Sequence, residues 1–312
     1  MPSSAIVFSS ITELFGLFAI GWLIQRWGYA QKEDFDRWGR IAAEIFYPFL
    51  IFHSIIRDFD PARVRTLWMM PALAFGLMLA GAITGLLVCR GMQTRDPATR
   101  RTFVHLCAMN NFIYLPIFII QNSLPPGALA DFFVFNLGST IGFWTIGVFT
   151  LGGVTDWRRT LRRLISPPLL SMFAAIGLAC TGARDWLPQS FLAVCRNTGS
   201  LSVPLMLIII GATLQGAFRR DQARDLVFIS VLRLILLPLL YIGIIRALPL
   251  PPDLELLAII VALMPTSAVS PVMARLYGGV PSFASAATLV THIASLITVP
   301  LAFWWLSHAA SR

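Results

Sequence analysis

Charge is scarce in this 312-residue chain: 12% of residues are Asp, Glu, Lys or Arg, against 57% that are hydrophobic. Apolar runs recur from end to end, which excludes a soluble domain and describes a polytopic membrane protein. Cysteine is sparse too, and Cys89, Cys107, Cys180 and Cys195 lie within or at the ends of apolar segments without CxxC spacing. They read as small core residues. Cys180 and Cys195 fall toward the same side, so a disulfide between them is the alternative. His53, His105 and His308 share no metal-ligand spacing, and HExxH, G-x-S-x-G and P-loop patterns are missing. No metal, cofactor or enzymatic activity is expected. "GSTIG" (138–142) superficially suggests a nucleophile turn, but its place inside an apolar span makes it helix packing. The basic excess comes without aromatic-interleaved clusters, so no nucleic-acid partner is expected.

A spanning helix needs about 20 mostly apolar residues. Ten segments meet that need, at roughly 5–25, 39–56, 66–89, 102–121, 129–152, 168–183, 190–215, 225–246, 254–275 and 284–306. The first has no basic region before it and no small-residue cleavage site, so it reads as a retained helix, not a signal peptide. With the N-terminus outside, sixteen of the 24 Lys and Arg residues fall in inner loops and six in outer ones, while Arg196 and Arg233 lie within spans. That asymmetry places both termini outside and explains the net charge of +9 by topology.

Residues 153–167, "GVTDWRRTLRRLISP", form a polar, basic stretch with five spans on each side. It reads as a cytoplasmic linker between a first five-helix repeat (1–152) and a second (168–312). Five is odd, so the second repeat enters from the opposite side and is inverted. A shift of 155 lays "MNNFIYLP" (Met109 to Pro116) on "MPTSAVSP" (Met264 to Pro271), and Pro48 precedes Pro204 at nearly the same offset. The fourth and ninth spans are therefore expected to be broken alike. Proline removes a donor and clashes with the carbonyl four residues back, freeing those of Phe112 and Ser267, while Pro265 disturbs the turn before. Unpaired backbone groups are costly in hydrocarbon, so the breaks predict a polar cavity at mid-membrane.

With "NNFIYLP", "YPFLIF" (47–52), "SVPLMLIIIGATL" (202–214), "VLRLILLPLL" (231–240), "ALMPTSAVSPVMARLYGG" and "SAATLVTHIASLITVPL", the sequence resembles the auxin efflux carrier family, within the wider group that includes bile acid sodium symporters. The resemblance spans essentially the whole chain. It implies ten helices in two inverted repeats, with a scaffold from helices 1, 2, 6 and 7 and a transport domain from helices 3–5 and 8–10. It also implies crossing prolines at Pro116 and Pro271, and small organic anions as substrates: auxin, malate, malonate or similar carboxylates. The chain departs from the family pattern in lacking a long central hydrophilic loop, which suggests a bacterial inner membrane. It also lacks an N-x-G before the crossing proline and has Arg233 where a lysine is common.

Half-helix N-termini carry about half a positive charge each, so two crossing breaks can bind an anion without a cationic side chain. Asn110 and Asn111 add amide donors, and Thr266, Ser267 and Ser270 add hydroxyls; the alternative is that these groups only satisfy the broken backbone. Asn136 in the fifth span, which the repeat shift lays on Thr291, either lines the site or makes a helix-helix hydrogen bond. Arg233, about 12 Å into its span, is too deep to snorkel easily and either attracts the anion or caps a carbonyl. Glu13 and His292 are candidates for proton coupling, Glu13 the stronger; Glu44 snorkels or pairs with Arg40. The expected function is secondary transport of a small carboxylate by alternating access, the partners being that carboxylate, the bilayer and, through the scaffold, a second copy. An intramembrane enzyme using His292 or Glu13, and a sensor that binds without transport, are the alternatives.

Overall fold

In the computed structural model, residues 4–153, 165–213 and 222–309 are described. The expected basic linker lies largely outside them. The chain is helical throughout: α1 (Ser4–Arg26), α2 (Lys32–Asp58), α3 (Pro61–Gly91), α4 (Pro97–Ala108), α5 (Tyr114–Ser123), α6 (Ala128–Thr150), α7 (Pro167–Cys180), α8 (Gln189–Thr213), α9 (Ala223–Arg246), α10 (Pro252–Ala262), α11 (Ser270–Leu276) and α12 (Pro281–Ala309). Six stretches, α2, α3, α6, α8, α9 and Pro281–Leu306 of α12, are long and apolar enough to cross a membrane. Among the described residues no strand forms.

Local chemistry explains where the helices begin. Asp96 caps α4, its carboxylate accepting from the Thr99 backbone N–H at 2.8 Å and from the Thr99 hydroxyl at 2.6 Å, with Pro97 in the first turn. Those same bonds, the hydroxyl first, hold the Asp96 carboxyl below its ordinary range. Three helices contain a π-helical turn, at Ala42–Phe46, Phe143–Gly147 and Leu232–Leu236. Such turns insert one extra residue and re-aim a side chain. The third contains Arg233.

α1 packs along α8 at backbone distance. A Cβ on Gly21 would lie 1.8 Å from the Ile208 carbonyl oxygen, and one on Gly211 only 2.1 Å from that of Phe18. Small residues let helices touch closely where the surroundings supply no hydrophobic drive. α2 lies against α7 and α8, α3 against α4 and α6, and α11 against α12. All four cysteines are free thiols, so no disulfide joins Cys180 to Cys195.

Candidate functional site

The two interruptions expected from the proline pattern are both present. Between α4 and α5 the chain unwinds over residues 109–113, and between α10 and α11 over 263–269. Pro116 is the third residue of α5 and Pro271 the second of α11. At those positions a missing N–H would have had no intrahelical partner anyway, so each proline starts its second half-helix, and the unwinding lies just before it.

The unwound segments pair with each other. Asn110 and Thr266 form an isolated antiparallel bridge, in which the Asn111 N–H donates to the Pro265 carbonyl at 2.8 Å and the Ser267 N–H donates to the Met109 carbonyl at 3.0 Å. Side chains complete the pairing. The Asn110 amide donates to the Val261 carbonyl at 2.8 Å, capping α10. Arg233, wholly buried, donates from Nε to the Met264 carbonyl at 3.1 Å and from Nη1 to the Cys107 carbonyl at 3.0 Å. One guanidinium therefore ties the end of α4 to the end of α10. Its planar fork suits two fixed acceptors, and its flat face lies 5.7 Å from the centre of the Tyr241 ring. The Ser267 carbonyl accepts from the Ser270 N–H at 3.1 Å and from the Thr288 hydroxyl at 3.5 Å. Most of the carbonyls that helix breakage releases are thus engaged inside the protein, as a buried backbone requires.

α12 supplies the other wall. Thr288, Thr291, His292 and Ser295 lie on it at intervals of three, one and three residues, a single polar stripe. The hydroxyls of Thr266 and Thr291 are 2.8 Å apart. His292 Nδ1 is 2.8 Å from the Thr288 carbonyl, which can only accept, so Nδ1 carries the hydrogen and Nε2 accepts from the Asn111 amide at 3.3 Å. From α1, Phe18 places its ring 6.0 Å from that of His292.

A family model described as "Membrane transport protein" matches residues 6–146 and 157–303. The chain belongs to that family, the auxin efflux carrier group. An uncharacterized transporter of Methanothermobacter thermautotrophicus is 23% identical over 289 residues, covering 91% of this chain and 93% of its own. The paired breaks are therefore a feature of a membrane transport protein.

Of the residues expected at the transporter's site, Asn110, Asn111, Thr266, Ser267, Arg233 and His292 come together at the junction. Ser270 sits at its edge, starting α11, with a buried hydroxyl that has no partner. Asn136 makes a helix-helix bond: its amide reaches the Tyr47 hydroxyl at 3.5 Å, linking α6 to α2, and the Tyr47 ring lies 5.9 Å from that of Tyr114, the first residue of α5. Glu13 is exposed on α1 and lines a separate cavity with His53, Arg57 and Arg196. No ion pair joins Glu44 to Arg40 among the described residues.

The cavity expected at mid-membrane takes a different form. Beside the junction, Asn110, Ser139 and Tyr241 border a cavity of about 10 Å³, roughly the room one water needs. Several of the freed backbone groups are satisfied by one another and by the side chains of Asn110, Arg233 and Thr288. Thr288 and Tyr241 were missed as junction residues. The α12 stripe was a legible signal for Thr288; for Tyr241 the sequence carried none.

Proposed function

We propose that this protein is a secondary carrier that moves a small carboxylate across the membrane by alternating access, the paired breaks forming its substrate junction. The observation that carries the reading is the junction itself: amides, hydroxyls and a guanidinium gathered about two unwound segments, with half-helices α5 and α11 beginning four residues beyond the bridged pair. Their N-terminal dipoles favour an anion at that point. In this reading the ten spans are two inverted five-helix repeats, α1, α2, α7 and α8 form the scaffold, and the remaining helices move. The close packing of α1 on α8 and of α2 on α7 supports that division. The membrane is a bacterial inner membrane and both termini lie outside. Asn110, Asn111, Thr266, Ser267 and Ser270 receive the carboxylate, Asn110, Asn111 and Thr266 exchanging present partners for it, and Asn136 steadies α6 against the scaffold.

Arg233 argues against sodium coupling. A sodium ion would need several oxygens from an unwound segment, and the guanidinium already occupies the Cys107 and Met264 carbonyls. The driving ion is then the proton, with His292 and Glu13 as its candidate carriers. An enzymatic role finds no support at His292, whose ring nitrogens meet the Asn111 amide and the Thr288 carbonyl, neither a nucleophile.

The test is counterflow of labelled malate, malonate and indole acetate in proteoliposomes. Exchange of one of them is expected; in separate net-uptake assays its accumulation is unchanged when choline replaces sodium and abolished when the pH gradient is collapsed. Folded protein that moves none of a broad carboxylate panel would refute the carrier reading.

A further inference from the structure

α2 and α8 touch where Gly199 meets Leu50: a Cβ on Gly199 would lie 2.6 Å from the Leu50 backbone nitrogen. One turn beyond that contact come His53 on α2 and Arg196 on α8, and one turn further Arg57. Two cavities open there, of about 510 and 750 Å³, and the same three side chains, His53, Arg57 and Arg196, line both. Either space holds a small organic anion.

The charges there are unequally engaged. Arg57 holds Asp58 by two bonds of 2.8 and 2.6 Å, but the guanidinium is 58% exposed, so the pair is weak and exchangeable. Arg184, on the rim of the larger cavity, donates to the Phe59 carbonyl at 3.2 Å. Glu13, Asp58 and Asp185 also line these walls and equal Arg57, Arg184 and Arg196 in number, but Asp58 is held by Arg57 and Asp185 lies 4.0 Å from Arg184, so Arg196 is the arginine there without an ion-pair partner among the described residues.

The smaller cavity has its other wall on α5, through Phe118, Gln121 and Asn122. It therefore lies between the proposed scaffold and the proposed moving part, at the outer end. α1 runs from Glu13 in this cavity to Phe18 beside His292, five residues or about 7.5 Å of helix. A solute waiting here is about one and a half turns from the junction.

We propose that Arg196, with Arg57 and His53, forms a second, outer docking site for a carboxylate, filled before the junction opens. The site rests on the carrier reading for its purpose and orientation, but not for its chemistry. An arginine without an ion-pair partner on the chamber wall attracts an anion and steers its entry, an effect that falls with salt.

The test uses the full chain in nanodiscs of phosphatidylcholine, with malonate binding measured by calorimetry. Arg196→Gln weakens malonate binding by about fivefold or more, consistent with loss of one charge contact, and Arg196→Lys keeps most of it. Asn111→Ala, which alters the junction, leaves a malonate-binding component that Arg196→Gln then removes. Unchanged affinity in Arg196→Gln, or no malonate binding to the wild type, overturns the site. So does Arg196-dependent malonate binding that vanishes when phosphatidylserine is added to the nanodiscs, since a lipid headgroup would then be the occupant. Arg196-dependent binding without flux leaves the site standing and removes the carrier reading; flux with no Arg196 effect on binding does the reverse.

Discussion

Replacing Arg233 separates the local work of the guanidinium from its effect on the whole fold. Arg233→Met keeps the length and apolar bulk of the side chain but removes the donors to the Cys107 and Met264 carbonyls. Each buried carbonyl left without a partner costs about 1–3 kcal/mol, so the two together cost about 2–6 kcal/mol. Against that stands the relief of not burying a guanidinium, itself several kcal/mol. The two nearly offset, and global stability, read by reversible unfolding in mixed micelles, changes by about 2 kcal/mol or less. Junction geometry has a smaller offset: the Asn110–Val261, Asn111–Pro265 and Ser267–Met109 bonds still join the two segments, but among the described residues no other side chain bonds both the Cys107 and Met264 carbonyls. Loss of a single hydrogen bond to a charged group, about 1.5–3 kcal/mol, corresponds to about 10- to 150-fold in rate if the bond holds the junction during transport. Arg233→Met is therefore expected to lose at least tenfold in counterflow while still folding, and Arg233→Lys, whose ammonium can reach either carbonyl, to lose less. Equal flux in Arg233→Met and the wild type would refute the pinning role. Collapse of folding in Arg233→Met with Arg233→Lys fully stable would show that the charge serves the fold as a whole.

Three further perturbations probe neighbouring contacts. A Cβ on Gly81 would lie 2.5 Å from the Cys107 carbonyl oxygen and 2.3 Å from the Tyr241 hydroxyl, so Gly81→Ala should destabilise by about 1–3 kcal/mol. Tyr241→Phe in the same chain should recover part of that loss, read as a double-mutant cycle; strict additivity would show that the two residues do not meet. Asn111→Ala leaves His292 Nε2 without its donor, costing about 1 kcal/mol, and, in the carrier reading, should reduce thermal stabilisation by a carboxylate to what the outer site alone supplies; a loss above about 4 kcal/mol would make Asn111 a structural residue first. Asp225, 3% exposed, accepts from the backbone N–H groups of Gln93 and Thr94 at 2.6 and 3.1 Å. Asp225→Asn keeps one acceptor oxygen, so hydrogen exchange at Gln93 and Thr94 should quicken while α4 stays protected, and unchanged exchange would remove the tether.

The helices were legible because the membrane imposes a length. The span expected at 225–246 is observed as Ala223–Arg246, and that at 254–275 as Pro252–Ala262 and Ser270–Leu276. The breaks were legible because proline and paired asparagines are conspicuous in an apolar run. The reach of Arg233 was hidden: its partners are 31 and 126 residues away, and a π-helical turn sets its direction. No local pattern announces such a turn. His53, Arg57 and Arg196 were hidden differently. They are scattered in sequence, and only the parting of α2 and α8 beyond Gly199 makes them neighbours.

Donors engaged with one another at rest change what substrate recognition must mean at this junction. In the carrier reading, an arriving carboxylate finds the Ser270 hydroxyl without a partner among the described residues, but to reach the engaged donors it must displace the His292 ring from the Asn111 amide, or the Thr291 hydroxyl from that of Thr266. Binding then yields only the difference between two sets of bonds, about 0.5–1.5 kcal/mol for each neutral exchange and more where the acceptor is ionised. A neutral isostere such as an amide would gain almost nothing over the resting partners, so discrimination against it comes from the junction's own closure. Opening the junction for the anion also loosens the contact between Asn111 and α12. Recognition and movement are thereby the same event, and a variant that leaves Asn111 free at rest should bind the carboxylate more tightly yet carry it more slowly. His292→Phe is that variant; tighter malonate binding with reduced counterflow is the expected pair of results, and a parallel change in both would show that the resting bond does not gate transport.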